Sequence, residues 1–422
     1  MKVLIKNVKI ADERSPYNNQ VKQVLIDGEI ISKIGDSSDE KADRIVEGQG
    51  NFLSPGWFDL RSVLHDPGYE HKEDLWSGAA AAMEGGFTGV ACLPETSPII
   101  QSKEIVHYIL NTSKNFLTDI YPLAAVTNNL KGEELTEMID LHQAGALAFT
   151  DGNHPIWHAG VLIRALIYMQ PFNGLIIQHA EEKKLTQYGQ MNEGITSTYL
   201  GLKGMPHIAE ELVIKRDIEL LKYAGGKIHF SHISSANAVD MIRTAKKEGL
   251  KVSCDVAVLN LVFDDTVLAT FDTNYKLNPP LRTKADIEAL WKGLEDETID
   301  AIVTDHIPQD VESKFLEFDM AEFGATNLET AFSALIAHKP AGFSLEKLIT
   351  KISAGPRGIL GLPVNTIKEG EKANLTYFSD NKEWVYSGDN IKSKSKNSPF
   401  FNKKLRGKAL AVFNKGQSYF SA

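Results

Sequence analysis

Eight short apolar runs rich in β-branched and aromatic residues recur along the middle of the chain, most of them separated by stretches of helical periodicity. They are FLSPGWFDL (52–60), FTGVACLP (87–94), DIYPLAAV (119–126), ALAFT (146–150), GLIIQHA (174–180), KIHFSHI (227–233), KVSCDVAV (251–258) and AIVTDH (301–306). Intervening segments such as KEIVHYILNTSKNF and NAVDMIRTAKKEG carry the apolar spacing of amphipathic helices. Parallel strands need a crossover long enough to hold a helix, so strands that alternate with helices predict a parallel sheet. Eight such units predict an α/β chain folded as a (β/α)8 TIM-type barrel.

The two ends of the chain do not follow this pattern. KVLIKNVKIAD and VKQVLIDGEIISKIG read as strands around a turn containing Gly28, and GEKANLTYFS and GKALAVFNKG near the other end read as strands too. The expected organisation is a small β-sandwich domain built from residues 1–51 and 365–422, beside a barrel spanning 52–364. The polar, basic stretch SGDNIKSKSKNSPFFNKK (387–404) is expected to be a solvated surface loop.

Composition narrows the function classes. Forty-five basic and 55 acidic residues give a net charge of −10, and no basic run is long enough to track phosphates, so nucleic acid and anionic membranes are poor partners. Lys6 and Lys9 interrupt the apolar start of the chain, which argues against a secretory segment, and no run of 18 apolar residues follows, so a soluble cytoplasmic protein is expected. Cys92 and Cys254 are too few for a disulfide framework or a cysteine zinc site, and both lie within apolar runs, where they read as small buried hydrophobes.

Seven of the apolar runs end in a polar residue: Arg61, Glu95, Asp151, His179, His232, Asp255 and Asp305. In a barrel these ends converge on the face where barrel enzymes build their sites. Any one of them could be a loop residue where a strand reaches solvent; agreement across seven strands argues for a shared pocket. His179, His232, Asp151 and Asp305 carry the imidazole and carboxylate groups that suit zinc. With about three protein ligands and an open position, such a zinc would activate water while Asp305 moved the proton. The other reading is a hydrogen-bonded polar pocket without metal.

Longer motifs add a resemblance. SPGWFDL, GGFTGVACLPETSP, AFTDG, MNEGITSTYLGLKGMPHIAEELVIKRDIEL, HFSHISS, NPPLRT, TDHIPQ, GATNLETAF and SKSKNSPF together resemble the dihydroorotases of the amidohydrolase superfamily, in particular the longer bacterial type with its catalytically inactive, dihydroorotase-like members. The resemblance implies a barrel flanked by a small β-domain and a place in pyrimidine synthesis. It also exposes departures. Where the family has Asp-x-His-x-His-x-Arg-x-Pro-Gly, this chain has DLRSVLHDPG, with Arg61 and Val63 in place of the two metal-binding histidines and His65 in place of the substrate-gripping arginine. The family's carboxylate-holding asparagine corresponds to Glu95, which would repel dihydroorotate; its Thr-Pro-His-His is AVLN (257–260); and the second histidine of its Asp-His-Ala-Pro-His is Gln309. Asp151, His179, His232, Asn278 and Asp305 survive.

The resemblance therefore implies a residual metal site at His179, His232 and Asp151, holding one zinc or none, with Asp305 as base if the protein is active and Asn278, His65 and Glu95 as substrate contacts. Arg61 and Val63, two apart on a strand, should face the barrel interior. Arg61 is expected to replace a metal electrostatically by pairing with Asp305 or Asp151. Three functions follow as alternatives: a non-catalytic homologue supporting aspartate carbamoyltransferase, a divergent one-metal hydrolase of cyclic amides, and a working dihydroorotase. The sequence leaves a homo-oligomer open.

Overall fold

The structure, a computed structural model, describes residues 1–36 and 40–421. The eight expected barrel strands are Trp57–Ser62, Phe87–Cys92, Asp119–Pro122, Phe149–Thr150, Ile176–His179, Ile228–Ser231, Val252–Ala257 and Ala301–Val303. Within the two sets, one of three strands and one of five, every neighbour pairs in parallel. Parallel bridges Ala124–Phe149 and Ser62–His306 join the sets, and the Val63 amide donates to the His306 carbonyl at 2.8 Å, which closes the ring.

Two apolar layers hold the barrel together. Phe58, Leu60, Val63, Ala91, Leu123, Ile177 and Val303 form one buried cluster, while Trp57, Val90, Ile120, Phe230 and Val256 pack with the helices in another. Alternate strand residues thus serve opposite faces, as pleating requires. The first strand breaks strict alternation: its register shifts between Asp59 and Ser62, so Leu60 joins the apolar cluster while Arg61 also reaches inward to polar partners. Helices start where short polar side chains cap free amides, as Asp74 does for Leu75–Gly85 and Thr283 for Lys284–Glu295. Cys92 and Cys254 are buried and unpaired. Among the described residues no helix is long and apolar enough to cross a membrane.

The chain ends form an eight-stranded sheet, in the order Gln417–Phe420, Lys404–Asn414, Leu375–Val385, Phe52–Pro55, Lys2–Ile10, Val21–Asp27 and Ile30–Gly35, with Arg44–Glu47 alongside Lys2–Ile10. The two chain ends thus build one small β-domain, as expected, whose strands share a core including Ile5, Val24, Leu53, Tyr377 and Phe413.

Two expectations need correction. The run 52–60 was assigned whole to the barrel, yet Phe52–Pro55 pairs with both chain ends and only Trp57–Ser62 enters the barrel. Gly56 is the joint: a Cβ there would lie 1.9 Å from Asn374 Oδ1 and 2.2 Å from Thr88 Oγ1, so no side chain fits. The second correction concerns 387–404, which is not a solvated loop. Ser393, Ser395, Asn397, Ser398 and Phe400 are buried. Asn397 Nδ2 donates to the Ile307 and Gly324 carbonyls at 3.0 and 3.1 Å, and the segment lies against the loop that follows the eighth strand.

Candidate functional site

At the mouth of the barrel, Arg61 is 1% exposed, and each of its three side-chain nitrogens has an acceptor. Its Nε donates to Asp305 Oδ1 at 2.7 Å, one terminal nitrogen reaches Ser231 Oγ at 3.5 Å, and the other donates to Asn153 Oδ1. Asn153 passes the contact on, its backbone N and Nδ2 donating to the Glu95 carboxylate at 3.2 and 2.9 Å. Asp305, Arg61, Asn153 and Glu95 are therefore one hydrogen-bonded chain across four strand ends. Burial pushes the carboxyl groups of both Asp305 and Glu95 above their usual range, and the Arg61 charge opposes that rise. A buried guanidinium needs this full set of acceptors, since an unpaired charge in the interior is strongly destabilising. Asp305 turns out of its strand with φ +50, a left-handed conformation that aspartate tolerates better than most residues.

The histidines lie beside this chain. The His179 and His232 rings are 4.8 Å apart between centroids. His179 Nε2 donates to Glu181 Oε2 at 3.0 Å, and Glu181 also accepts from Thr186 Oγ1 at 2.6 Å and Asn278 Nδ2 at 3.3 Å. Burial alone would raise the Glu181 carboxyl, but His179 and the other donors outweigh it and bring it down to about 2. His232 donates from Nδ1 to the Ser231 carbonyl, and its Nε2 is buried without a partner. Burial, then the Arg61 and His179 charges, push its pKa well below 6.5, so the ring is neutral.

Asp151 is occupied elsewhere. Its Oδ1 accepts from the amides of Val126 and Thr127, both at 2.9 Å, and its Oδ2 accepts from the Thr127 hydroxyl. Burial raises its pKa to about 6 against these donors. Three of about four lone-pair positions on the carboxylate are thus used to tie the fourth strand to the loop after the third. Arg61 pairs with Asp305 and not with Asp151. Asp255 is likewise structural, accepting from His229 Nε2 at 2.7 Å and from the His232 amide.

His65, Glu95 and Asn278, the expected substrate contacts, line a cavity of about 250 Å³ with Val63, Asn153 and Gln309. His65 Nε2 donates to the Pro308 carbonyl at 2.9 Å, and burial lowers the ring's pKa to about 4. Asn153 and Glu181 were missed by the sequence reading. Both stand two residues beyond a recognised position, Asp151 and His179, and residues that follow a strand end were the available signal.

The donor set does not fit the zinc that the resemblance implies. Two imidazoles meet, but one has its Nε2 committed to Glu181, the expected third ligand Asp151 is bound to backbone, and a guanidinium pairs with Asp305. Among the described residues no three His, Cys, Asp or Glu side chains are grouped as a metal ion would require.

Comparisons with known proteins agree with this fold. Residues 50–238 match a family model described as dihydro-orotase-like, and residues 177–418 match that of the amidohydrolase family. The chain is 40% identical to the dihydroorotase of Ruminiclostridium cellulolyticum over 404 residues, covering 95% of this chain and 94% of the relative. It is 39% identical to the dihydroorotase of Acetivibrio thermocellus, covering 96% of each. Among solved structures, an L-hydantoinase (dihydropyrimidinase) from Arthrobacter aurescens superposes with a TM-score of 0.85 at 22% identity, over 99% of this chain and 96% of that one.

Proposed function

The chain belongs to the dihydroorotase family, and from that premise we propose that it is a non-catalytic member whose hydrolytic centre has become a buried polar network. Its role is to support aspartate carbamoyltransferase in a cytoplasmic complex of pyrimidine synthesis. The observation that carries this reading is the Arg61–Asp305 pair: a guanidinium stands where the family's first metal-binding histidine would be, and it occupies the carboxylate that would serve as base. The Arg61 guanidinium takes one oxygen of Asp305 in a hydrogen bond and opposes the rise in proton affinity that burial gives this carboxylate, so the pair is built to hold Arg61 in place rather than to take a proton from water. Glu95, in the position of a carboxylate-holding asparagine, opposes an anionic substrate.

Co-expression with aspartate carbamoyltransferase tests the role. The expected result is a stable hetero-oligomer at micromolar concentration and a transferase that is less active or less stable without this chain. Separate elution with a transferase equally active alone would reject the scaffold.

One observation favours a second reading, a divergent hydrolase with a single metal. The His232 Nε2 lone pair is buried without a partner and its ring faces His179, so any bound zinc would lie between these two histidines. The names of the curated relatives favour the same direction, towards retained activity. Two tightly bound metal ions per chain would exclude both this reading and the first.

A further inference from the structure

Two lysines are buried beside the barrel mouth, Lys276 at 1% exposure and Lys314 at 7%. Their polar contacts are to backbone carbonyls. Lys276 Nζ donates to Phe318 and Asp319 at 2.8 and 3.0 Å, and Lys314 Nζ donates to Glu322 and Gly324 at 2.8 and 3.0 Å. A neutral amine has two N–H donors and an ammonium three. Each amine meets two carbonyls, so the neutral form is satisfied and the charged form carries one proton more than those acceptors take. The Phe318 and Phe323 rings, 5.5 and 4.9 Å from Lys276 Nζ, offset part of this for Lys276.

The charged groups facing Lys314 are Lys276, Asp272 and Glu322, and those facing Lys276 are Asp319 and Glu322. Asp310, Glu317 and Lys396 line the same groove as Lys314. Burial outweighs the acids, lowering Lys314 from 10.5 to about 7, with help from the Lys276 charge, and Lys276 to about 8.

The four carbonyls belong to residues 318–324, the stretch that carries Glu322 and Phe323 to the mouth. Both side chains line the 250 Å³ cavity with Glu95 and Asn278, and Phe323 also lines a second cavity, of about 440 Å³, with Glu181 and Lys183. Phe323 is thus a partition between the two. Packing holds this part of the chain lightly: Val311, Phe315, Leu316 and Met320 are exposed, leaving Phe318 and Ala321 as its buried apolar side chains.

We propose that residues 311–324 form a proton-operated lid over the barrel mouth, closed while Lys276 and Lys314 sit as neutral amines on the carbonyls of residues 318–324 and opened when the two lysines take up protons. In the open, hydrated state a lysine keeps its ordinary value near 10.5, so the closed lid binds fewer protons than the open one from there down to about pH 7. Opening therefore becomes easier as the pH falls through that window, and its pH dependence ends below it, where both states are charged. An open lid joins the two cavities and gives solutes a path to Glu181 and His179. The device works in the same way whether or not the mouth retains chemistry.

Hydrogen exchange on the full-length protein tests this at the amides of Ala321, Glu322 and Gly324, which donate to the Glu317, Ser313 and Lys276 carbonyls. After correction for the intrinsic exchange rate, protection of these amides is expected to rise at least tenfold from pH 7 to pH 9. The rise should be shallower in Lys314→Met, absent in Lys276→Met with Lys314→Met, and unchanged in Lys396→Met. The slope is the readout, so a lid loosened by a variant still reports; should the double variant not fold, Lys314→Arg, charged throughout this range, must by itself make the rise shallower. Protection that is flat or falls from pH 7 to pH 9 in the parent overturns the inference. So does a rise that is as steep in Lys314→Met and Lys314→Arg as in the parent, one that persists in the double variant, or one that is lost in Lys396→Met.

Discussion

Arg61 Nε donates to Asp305 Oδ1 across 2.7 Å, with neither side chain more than 9% exposed. The two residues are 244 positions apart in the chain and belong to the first and eighth strand ends of the barrel, so the pair also fastens the closure of the ring. Removing one partner leaves the other charge buried, which in comparable sites costs about 3–5 kcal/mol. Arg61→Met is therefore expected to lower the unfolding free energy by that amount in urea titration, and Arg61→Met combined with Asp305→Leu to recover most of the loss. An Arg61→Met protein as stable as the parent would show that the pair is not structural.

Restoring the family's first two histidines should not restore hydrolysis. In Arg61→His with Val63→His, the positions of His65, Glu95 and Gln309 still lack the groups that orient a carboxylate-bearing substrate, and positioning contributes as much as activation of water does. The double variant is expected to take up more zinc than the parent, measured by elemental analysis, while dihydroorotate turnover stays undetectable. Clear turnover would mean that substrate binding had been intact.

The Glu181 carboxyl gives a pH signature. Its folded pKa, about 2, lies below the ordinary value of 4.5, so the ionised form is favoured in the folded state. Its contribution is present in full above pH 4.5 and is lost as the pH falls toward 2. At about 1.4 kcal/mol per pKa unit, this drop from 4.5 to about 2 corresponds to at most about 3.5 kcal/mol. The stability difference between the parent and Glu181→Gln should be constant from pH 7 to 5 and shrink steadily below 4.5. A difference that grows on acidification would contradict the assignment.

Asn397 anchors the segment over the barrel mouth through three buried hydrogen bonds, to the Ile307 and Gly324 carbonyls and from the Gln309 amide. At about 1 kcal/mol for each typical bond, Asn397→Ala is expected to destabilise by about 2–3 kcal/mol and to speed amide exchange around 307–326. An unchanged exchange pattern there would show that the segment is not an anchor.

Much of the barrel could be read from the sequence, because pleating and helical periodicity are local: all eight runs contain a barrel strand. The misreadings came from contacts that periodicity does not encode. Gly56 divides one apolar run between two sheets because Asn374 and Thr88, far along the chain, leave no room for a side chain. The 387–404 segment has the composition of a surface loop, yet its serines and Asn397 are the small polar groups needed to satisfy buried carbonyls and Glu73. At the site, the polar strand ends were visible, but their partners were not. Asp151 looks like a metal ligand until Val126 and Thr127 are placed beside it, and Asn153 carries no signal until Arg61 and Glu95 are found on either side.

The most direct test of the central claim is the rate of dihydroorotate ring hydrolysis by the purified protein, assayed with added zinc. With the base held by Arg61 and Glu95 opposing the substrate's carboxylate, turnover should be undetectable above the uncatalysed reaction. A rate near one per second, within the ordinary enzyme range, would contradict the account and identify the protein as a working hydrolase.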